Sequence, residues 1–566
     1  MATPKSRQPD SLSEPSPQTE EQESQSKFSG EADYIYTSKI STKLHLDEAC
    51  EALVSSSIFP LALSSNGKAH YKINSILHSK FLDFTQSLTG LGMTVTGHQD
   101  YYSNNPGLYN TYLLQRAFDL HLSSNKLFID GYGFPAESAR IFMRPLALKL
   151  EESEEHEIFC PSFRVYDDGT ISVCLTPING FSDLGFDKLI NCVVNRNQRN
   201  ISSIICERDI YLASIETQYA KFKIRERLGL RGLIRKASES SLSKVVHTKL
   251  FDEEFRMHEL LTNGTFTLTD LAQRLLELAE RSIALGGVRQ KIHLFAPQYC
   301  SSILHQHWFG KPLIYISNHS NQQYSSKENW AHNEHSIQCI MARSYLLEKY
   351  NLNDIKLTDL RLFDDYNSFY SEAVTLVVTT TQVTEFLSNS GTFKFSNITC
   401  DIQTLNELSH HLIAHYAYTS LTIEKCKTSI EIAKLELNKL AFEESFISAK
   451  KHSETSKHFD YILSSDHLSS LRYLADKKIE SSKKHQELKE KVTSDSQGRR
   501  LTIVFGLIAS AVLSPELMQP LLQTLNLGTS TIEGNKLLGM ALSILTVTAS
   551  VIVINYAPKI FNRLFK

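Results

Sequence analysis

The pattern of apolar and polar positions changes character twice along the chain. Through residues 34–400 short apolar runs alternate with amphipathic ones, the signature of mixed α/β structure. FRVYDDGTISVCL, Phe163 to Leu175, predicts two strands turning at Asp167-Asp168-Gly169. ARIFMRPLALKL reads as a further strand, and KPLIYIS and EAVTLVVTTT as two more, the last of them buried on both faces. HTKLFDEEFRMHELL, TDLAQRLLELAERSIAL and SIQCIMARSYLLEKY read as helices. Residues 401–495 contain neither Pro nor Gly. There Ile423, Cys426, Ile430, Ala433, Leu437 and Leu440 step by three and four, the spacing of a coiled-coil seam. From Leu501 the chain becomes apolar, with Glu516 the only charge up to Ile532.

That last stretch predicts a hairpin of two transmembrane helices, about 501–522 and 537–556. LTIVFGLIASAVLSPELMQPLL extends roughly 33 Å as a helix, against a hydrocarbon core of about 30 Å. LLGMALSILTVTASVIVINY, Leu537 to Tyr556, carries no charge. Arg499 and Arg500 before the first span, and Lys559, Arg563 and Lys566 after the second, outnumber Glu533 and Lys536 between them. The positive-inside rule then places both termini in the cytoplasm of an integral inner- or plasma-membrane protein.

The expected fold class is therefore an α/β cytoplasmic domain, a long helical coiled-coil stalk and a two-helix C-terminal transmembrane hairpin. The divisions are a disordered tail over 1–33, an N-terminal α/β domain over 34–240 and a second α/β region over 241–400. A stalk over 401–498, the spans within 499–558 and a basic tail over 559–566 complete them. The tail is rich in Ser, Glu, Gln and Pro and lacks the apolar run of a secretory leader. The split near 240 follows the Ser-rich basic stretch Arg235 to Lys244.

Composition narrows the function classes. With 59 Lys+Arg against 62 Asp+Glu over 566 residues, a net charge of −3 gives no basic excess for direct nucleic-acid binding. The nine Cys form no CxxC pair and read as buried small hydrophobes in a reducing compartment. No phosphate-binding glycine loop, GxSxG or HExxH occurs, so no enzyme is expected. His305, His307, His319, and His332 with His335 around Glu334 offer metal-capable groups, but their spacing fits no closed site. No metal and no cofactor is assigned. His410, His411 and His415 are expected on a helix surface, although His411 and His415 share a face. DYYSNNPGLYNTYLL reads as a packed, tyrosine-rich loop.

Copies of the first span around an axis would line a pore with Thr502, Gly506, Ser510 and Ser514, with Glu516 and Gln519 at its outer end. Two spans cannot enclose a pore alone, so this reading requires a homo-oligomer. The order of parts, with RRLTIVFGLIASAV at the membrane junction and PKIFNRLFK at the end, resembles the CorA-type magnesium/cobalt transport proteins, the two-transmembrane GxN family. The family's Gly-Met-Asn motif is absent; Pro515-Glu516-Leu517-Met518-Gln519-Pro520 stands in its region. The resemblance implies an oligomeric channel or pore-forming effector gated by its cytoplasmic domain. Some members without the motif are defence effectors switched by a nucleotide, so a small nucleotide ligand and a permeant divalent cation are implied as well. The alternative is a non-conducting, membrane-anchored coiled-coil scaffold or interaction protein.

Overall fold

A computed structural model describes residues 26–40, 43–86, 93–128, 136–151, 153–220, 244–251, 253–262, 264–286, 310–345, 357–390, 394–524, 531, 533–542, 544–545 and 548. Its strands are β1 (Lys27–Lys39), β2 (Leu61–Ser64), β3 (Lys68–Ile73), β4 (Ile76–Phe81), β5 (Asp83–Gln86), β6 (Met93–Thr96), β7 (Ser138–Phe142), β8 (Leu146–Leu150) and β9 (Glu157–Tyr166). They continue with β10 (Thr170–Pro177), β11 (Phe181–Gly185), β12 (Ile201–Cys206), β13 (Lys244–Leu250), β14 (Glu253–Leu261), β15 (Lys311–His319), β16 (Tyr366–Tyr370) and β17 (Thr375–Thr379). The helices include α1 (Leu46–Ser55), α2 (Gln99–Asn104), α3 (Leu108–Lys126), α4 (Arg208–Ala220), α5 (Leu268–Gly286) and α6 (Ser326–Ala342). After them come α7 (Thr381–Asn389), α8 (Phe395–Thr422), α9 (Ser429–Ser448), α10 (Ser453–Leu463) and α11 (Asp466–Thr524).

Among the described residues fifteen strands form one mixed sheet, whose main path runs β13-β14-β12-β8-β9-β10-β1-β15-β17-β16. It draws strands from both sides of residue 240. Strand periodicity gives the sheet two different faces. Ala32, Tyr34 and Tyr36 of β1, Phe163 and Val165 of β9, Ile171, Val173 and Leu175 of β10, and Ile314 and Ile316 of β15 join the main apolar core. Residues from α1, α5 and α6 pack into the same core. The intervening positions, Asp33, Thr37 and Lys39 of β1 and Arg164 of β9, are buried and polar. They face the other way, toward α3 and α8.

One close approach depends on glycine. Between Ser29 and Gly30 the pairing of β1 with β15 shifts register, and a Cβ on Gly30 would lie 1.9 Å from the Tyr315 carbonyl oxygen. Gly30→Ala must push two paired strands apart. We expect a stability loss of about 1–3 kcal/mol, read by chemical denaturation.

Several elements differ from the sequence reading. HTKLFDEEFRMHELL forms the hairpin β13–β14 rather than a helix. ARIFMRPLALKL breaks into β7 and β8 at Arg144-Pro145. The tyrosine-rich segment forms α2 and the start of α3 rather than a loop, interrupted at Pro106-Gly107.

The chain divides into two compact units, residues 1–422 with 437–475, and residues 423–436 with 476–566. The first half of the expected stalk is not a solvated coiled coil. Helix α8 is buried on every side within the α/β unit, and α10 packs there too. In the helical unit Ile423, Ile432 and Ile479 form a small core with Cys426 and Leu435. Of the seam residues, Ile430, Leu437 and Leu440 are exposed.

The membrane hairpin requires correction. Among the described residues no helix is long and apolar enough to cross a membrane. Helix α11 owes its length to the charged sequence before Leu501, where Lys477, Lys478, Lys483, Lys484, Lys489 and Lys491 keep it polar. The lack of such a helix among the described residues contradicts the transmembrane part of the expected fold class and the expected integral placement in an inner or plasma membrane with cytoplasmic termini.

Candidate functional site

Helix α8 is the unusual element. A helix buried all round is ordinarily apolar. This one buries Gln403, Thr404, Asn406, Glu407, Ser409, His410, His411, His415 and Thr419. These side chains meet the polar positions of the sheet in a continuous charged layer.

Glu407 lies at the centre. The Nη1 and Nη2 atoms of Arg140 grip its two oxygens at 2.7 and 2.6 Å, and Arg164 Nη1 adds a contact at 3.3 Å. Arg140 and Arg164 are directly opposite on β7 and β9. Like charges at such a pair repel, so the carboxylate is what permits both to be buried. Burial alone would raise the Glu407 pKa, but the two guanidinium groups outweigh it and hold the carboxyl below its usual range. Gln403 Nε2 donates to Oε1 at 2.9 Å.

A second pair flanks it. Arg116 on α3 lies 3.7 Å from Asp33 on β1, whose oxygens also accept from the Thr176 hydroxyl at 2.5 Å and the Tyr315 hydroxyl at 3.1 Å. Arg116 also donates to Gln403 on α8 at 2.7 Å. Burial is the largest influence on Asp33 and raises its pKa, against the opposing pull of Arg116.

The third cluster forms around Asp168 in the β9–β10 turn. Its Oδ2 lies 2.5 Å from Lys39 Nζ, 3.2 Å from His411 Nε2 and 3.8 Å from His415 Nδ1. The turn is made by Gly169 at φ +86° and by Asp168 Oδ1, which accepts from the Thr170 amide at 2.9 Å. His411 stacks on Tyr166 and His415 on Phe442, each with ring centroids 3.8 Å apart. Burial pushes the His415 pKa down to about 4, so the imidazole is neutral at pH 7. For Asp168, burial works upward, but His411 and Lys39 reverse it and hold the carboxyl well below its usual range.

The chemistry of this layer is that of matched acid–base partners. Each carboxylate is held by a cation; Glu407 and Asp168 fix α8 against the sheet, and Asp33 ties α3 to it through Arg116. No group of three or more His, Cys, Asp and Glu among the described residues is arranged to hold a metal ion. His410, His411 and His415, expected on a surface, are fully or nearly buried, with His410 Nδ1 3.1 Å from the Thr37 hydroxyl. His305 and His307 lie outside the described residues. His319 is buried against Phe28, while His332 is exposed and bonds the Glu328 carbonyl oxygen within its own helix. His335 lies 3.6 Å from Cys339 Sγ. Among the described cysteines all are free, and six of the eight are buried.

The residues expected to line a pore all fall on α11. Thr502 bonds the Gly498 carbonyl oxygen at 2.9 Å, and a Cβ at Gly506 would meet nothing within 4 Å. The side chains of Ser510, Ser514, Glu516 and Gln519 lie outside the described residues. In this helical unit Leu488, Val492, Leu501, Val504 and Phe505 are each at least half exposed, as are Leu537 and Leu545.

Sequence reasoning missed Arg140, Arg164 and Glu407. The only available signal was a charge set at alternate positions within otherwise apolar strands, in ARIF and FRVY. No family model, no curated protein and no solved structure matches the chain.

Proposed function

We propose that this chain is a self-assembling interaction protein, in which the helical unit associates with further copies of itself and the α/β unit is the control element. The observation that supports it is the set of exposed apolar side chains in the helical unit: Leu488, Val492, Leu501, Val504 and Phe505 on α11. By helical periodicity Leu488 and Val492 lie on one side of α11 and Leu501, Val504 and Phe505 on the other, and exposed apolar side chains in such number mark interaction surfaces. Burying each contributes about 1.5–3 kcal/mol, set against an association cost of about 4 kcal/mol or more. Several must therefore be covered together. A second copy is the occupant that supplies a matching apolar surface by symmetry.

The polar layer suits control. Its contacts depend on charge, so an anionic ligand such as a nucleotide phosphate could compete with Glu407 for Arg140 and Arg164. That exchange would free α8 from the sheet. A buried ionic contact that specifies one of two arrangements is the best-attested use of such groups. This reading keeps the homo-oligomer and the ligand-responsive front expected from the sequence and assigns no bilayer-spanning pore.

The test is cross-linking of the full-length chain with and without Val504→Asp and Phe505→Asp together. Wild-type protein is expected to give a ladder of multimers, and the double variant a single protomer band with an unchanged helical circular-dichroism spectrum. A wild-type single band, or a ladder unchanged by the two aspartates, contradicts the proposal. So does capture of wild-type single protomers on lipid vesicles.

A further inference from the structure

The hairpin β3–β4 and helix α1 bring together three groups whose chemistry the proposed assembly does not use. Its two-residue turn, Asn74-Ser75, has positive φ at both positions, +49° and +68°, which sets the type I′ geometry of a tight hairpin. The register follows, with Ile73 opposite Ile76 and His70 opposite Ser79. Counting from the turn, the pairs alternate between hydrogen-bonded and non-hydrogen-bonded, and His70–Ser79 is of the second kind. Side chains approach most closely at such a pair, and the main-chain N–H of Ser79 points away from β3. Among the described residues β4 pairs with β3 alone, so that N–H faces an open sheet edge.

Ser79 Oγ lies 2.9 Å from His70 Nδ1. Ser79 is exposed, whereas the His70 side chain is fully buried. Among the described residues the other ring nitrogen, Nε2, has no aligned hydrogen-bond partner, and it lies 3.7 Å from Asp47 Oδ1 in the first turn of α1. Lys68 Nζ fixes the remaining oxygen of Asp47 at 2.7 Å. When Nδ1 accepts the serine hydroxyl, the ring proton resides on Nε2 and faces the carboxylate. Hydroxyl, imidazole and carboxylate thus form one relay across three separate elements.

We propose that Ser79, His70 and Asp47 form an acyl-transfer site that hydrolyses small carboxylic esters, with the Ser79 amide donating to the oxyanion. The two ring nitrogens exchange the roles they hold in the familiar Ser–His–Asp arrangement. The chemistry requires only that one accepts and the other is oriented. Burial, and then the charge of Lys68, keep the His70 pKa below its usual value, so the ring is a free base at neutral pH. Phe81, two residues along the same face of β4 and 61% exposed, offers an apolar wall for the acyl group. The open edge admits small or extended substrates without a closed pocket.

The steps balance. Ser79 Oγ bonds to the carbonyl carbon while its proton passes to His70 Nδ1. The tetrahedral oxyanion collapses, and the departing alkoxide takes that proton. Water then attacks the acyl-serine, gives a proton to His70, and releases the carboxylic acid as the serine is restored. Asp47 touches neither substrate nor product and is a positioning residue.

The experiment treats the full chain with an alkyl fluorophosphonate and maps the adduct by peptide mass spectrometry, alongside hydrolysis of p-nitrophenyl acetate. We expect one adduct, on Ser79, and saturable ester turnover. Ser79→Ala, at an exposed strand position, should remove both at least 100-fold. Asp47→Asn should lower kcat at least tenfold with KM unchanged, and Asp47→Glu should recover part of it. No adduct, an adduct on another residue, or turnover that survives Ser79→Ala overturns the proposal. An unchanged kcat in Asp47→Asn likewise overturns it, leaving a cross-strand hydrogen bond with no relay.

Discussion

Glu407→Ala lowers the unfolding free energy by about 3–5 kcal/mol, the cost typical of removing one partner from a buried ion pair. The variant leaves Arg140 and Arg164 directly opposite one another, both nearly inaccessible to solvent, with no carboxylate between them. It also strips Gln403 of an acceptor. Glu407→Gln keeps the shape and one acceptor oxygen but not the charge, so it should recover only a minor part of the loss. Urea denaturation followed by circular dichroism measures the difference, provided that wild type and variant show the same slope. A loss below about 1 kcal/mol would place the cluster in the range of solvated surface pairs and remove the reason to regard α8 as charge-latched.

Acid should unfold the α/β unit before Glu407 and Asp168, both held below the usual carboxylate range, take up protons. Burial lowers the pKa of His121, His319 and His415 to about 4 and that of His458 to about 3. An unfolded histidine titrates near 6.5. Each of these groups is neutral in the fold and takes up a proton more readily when unfolded. Their contribution is therefore complete above about pH 6.5 and is lost as pH falls toward the folded values. The neighbours reinforce this for two of them: Arg140 and Arg164 oppose protonation of His121, and Lys311 opposes that of His458. Asp168 favours it for His415, while Lys39 and His411 oppose it. A tenfold difference in proton affinity between the folded and unfolded chain is worth about 1.4 kcal/mol, so four groups acting together exceed the margin of a typical domain. The melting temperature should be flat above pH 7 and fall steeply between pH 6.5 and 5. Glu407, whose pKa is depressed, adds loss only below about pH 4. A melting temperature constant down to pH 5 would show that these imidazoles are hydrated.

The sheet was legible where local chemistry decides the outcome. Asp167-Asp168-Gly169 announces a turn because Gly169 can take φ +86° and Asp168 can bond the amide two residues on. KPLIYIS and EAVTLVVTTT form β15 and β17 because β-branched runs of that length suit a doubly covered strand. HTKLFDEEFRMHELL misled because its apolar residues satisfy a helical spacing as well as an alternating one. Pairing with β12, far away in sequence, settles it as β14. The apolar C-terminal runs likewise fit both a membrane span and a helix that presents apolar residues to a partner, and periodicity does not separate the two.

The candidate site was the least legible part. Arg140, Arg164 and Glu407 are separated by up to 267 residues and become a cluster only when β7, β9 and α8 are assembled. His411 and His415 were readable as a pair on one face, but not the Asp168 carboxylate between sheet and helix. The same holds for Asp47, His70 and Ser79: helix α1 supplies the carboxylate, and the register of a hairpin supplies the rest. Sequence spacing reports what one element brings to a face. These clusters are made by what faces it.

Sedimentation equilibrium of the full-length chain in aqueous buffer across a hundredfold range of concentration tests the central claim most directly. Self-assembly through the exposed residues of α11 predicts a mass that rises to a whole multiple of 64.1 kDa. A mass that stays at 64.1 kDa over the whole range would contradict it.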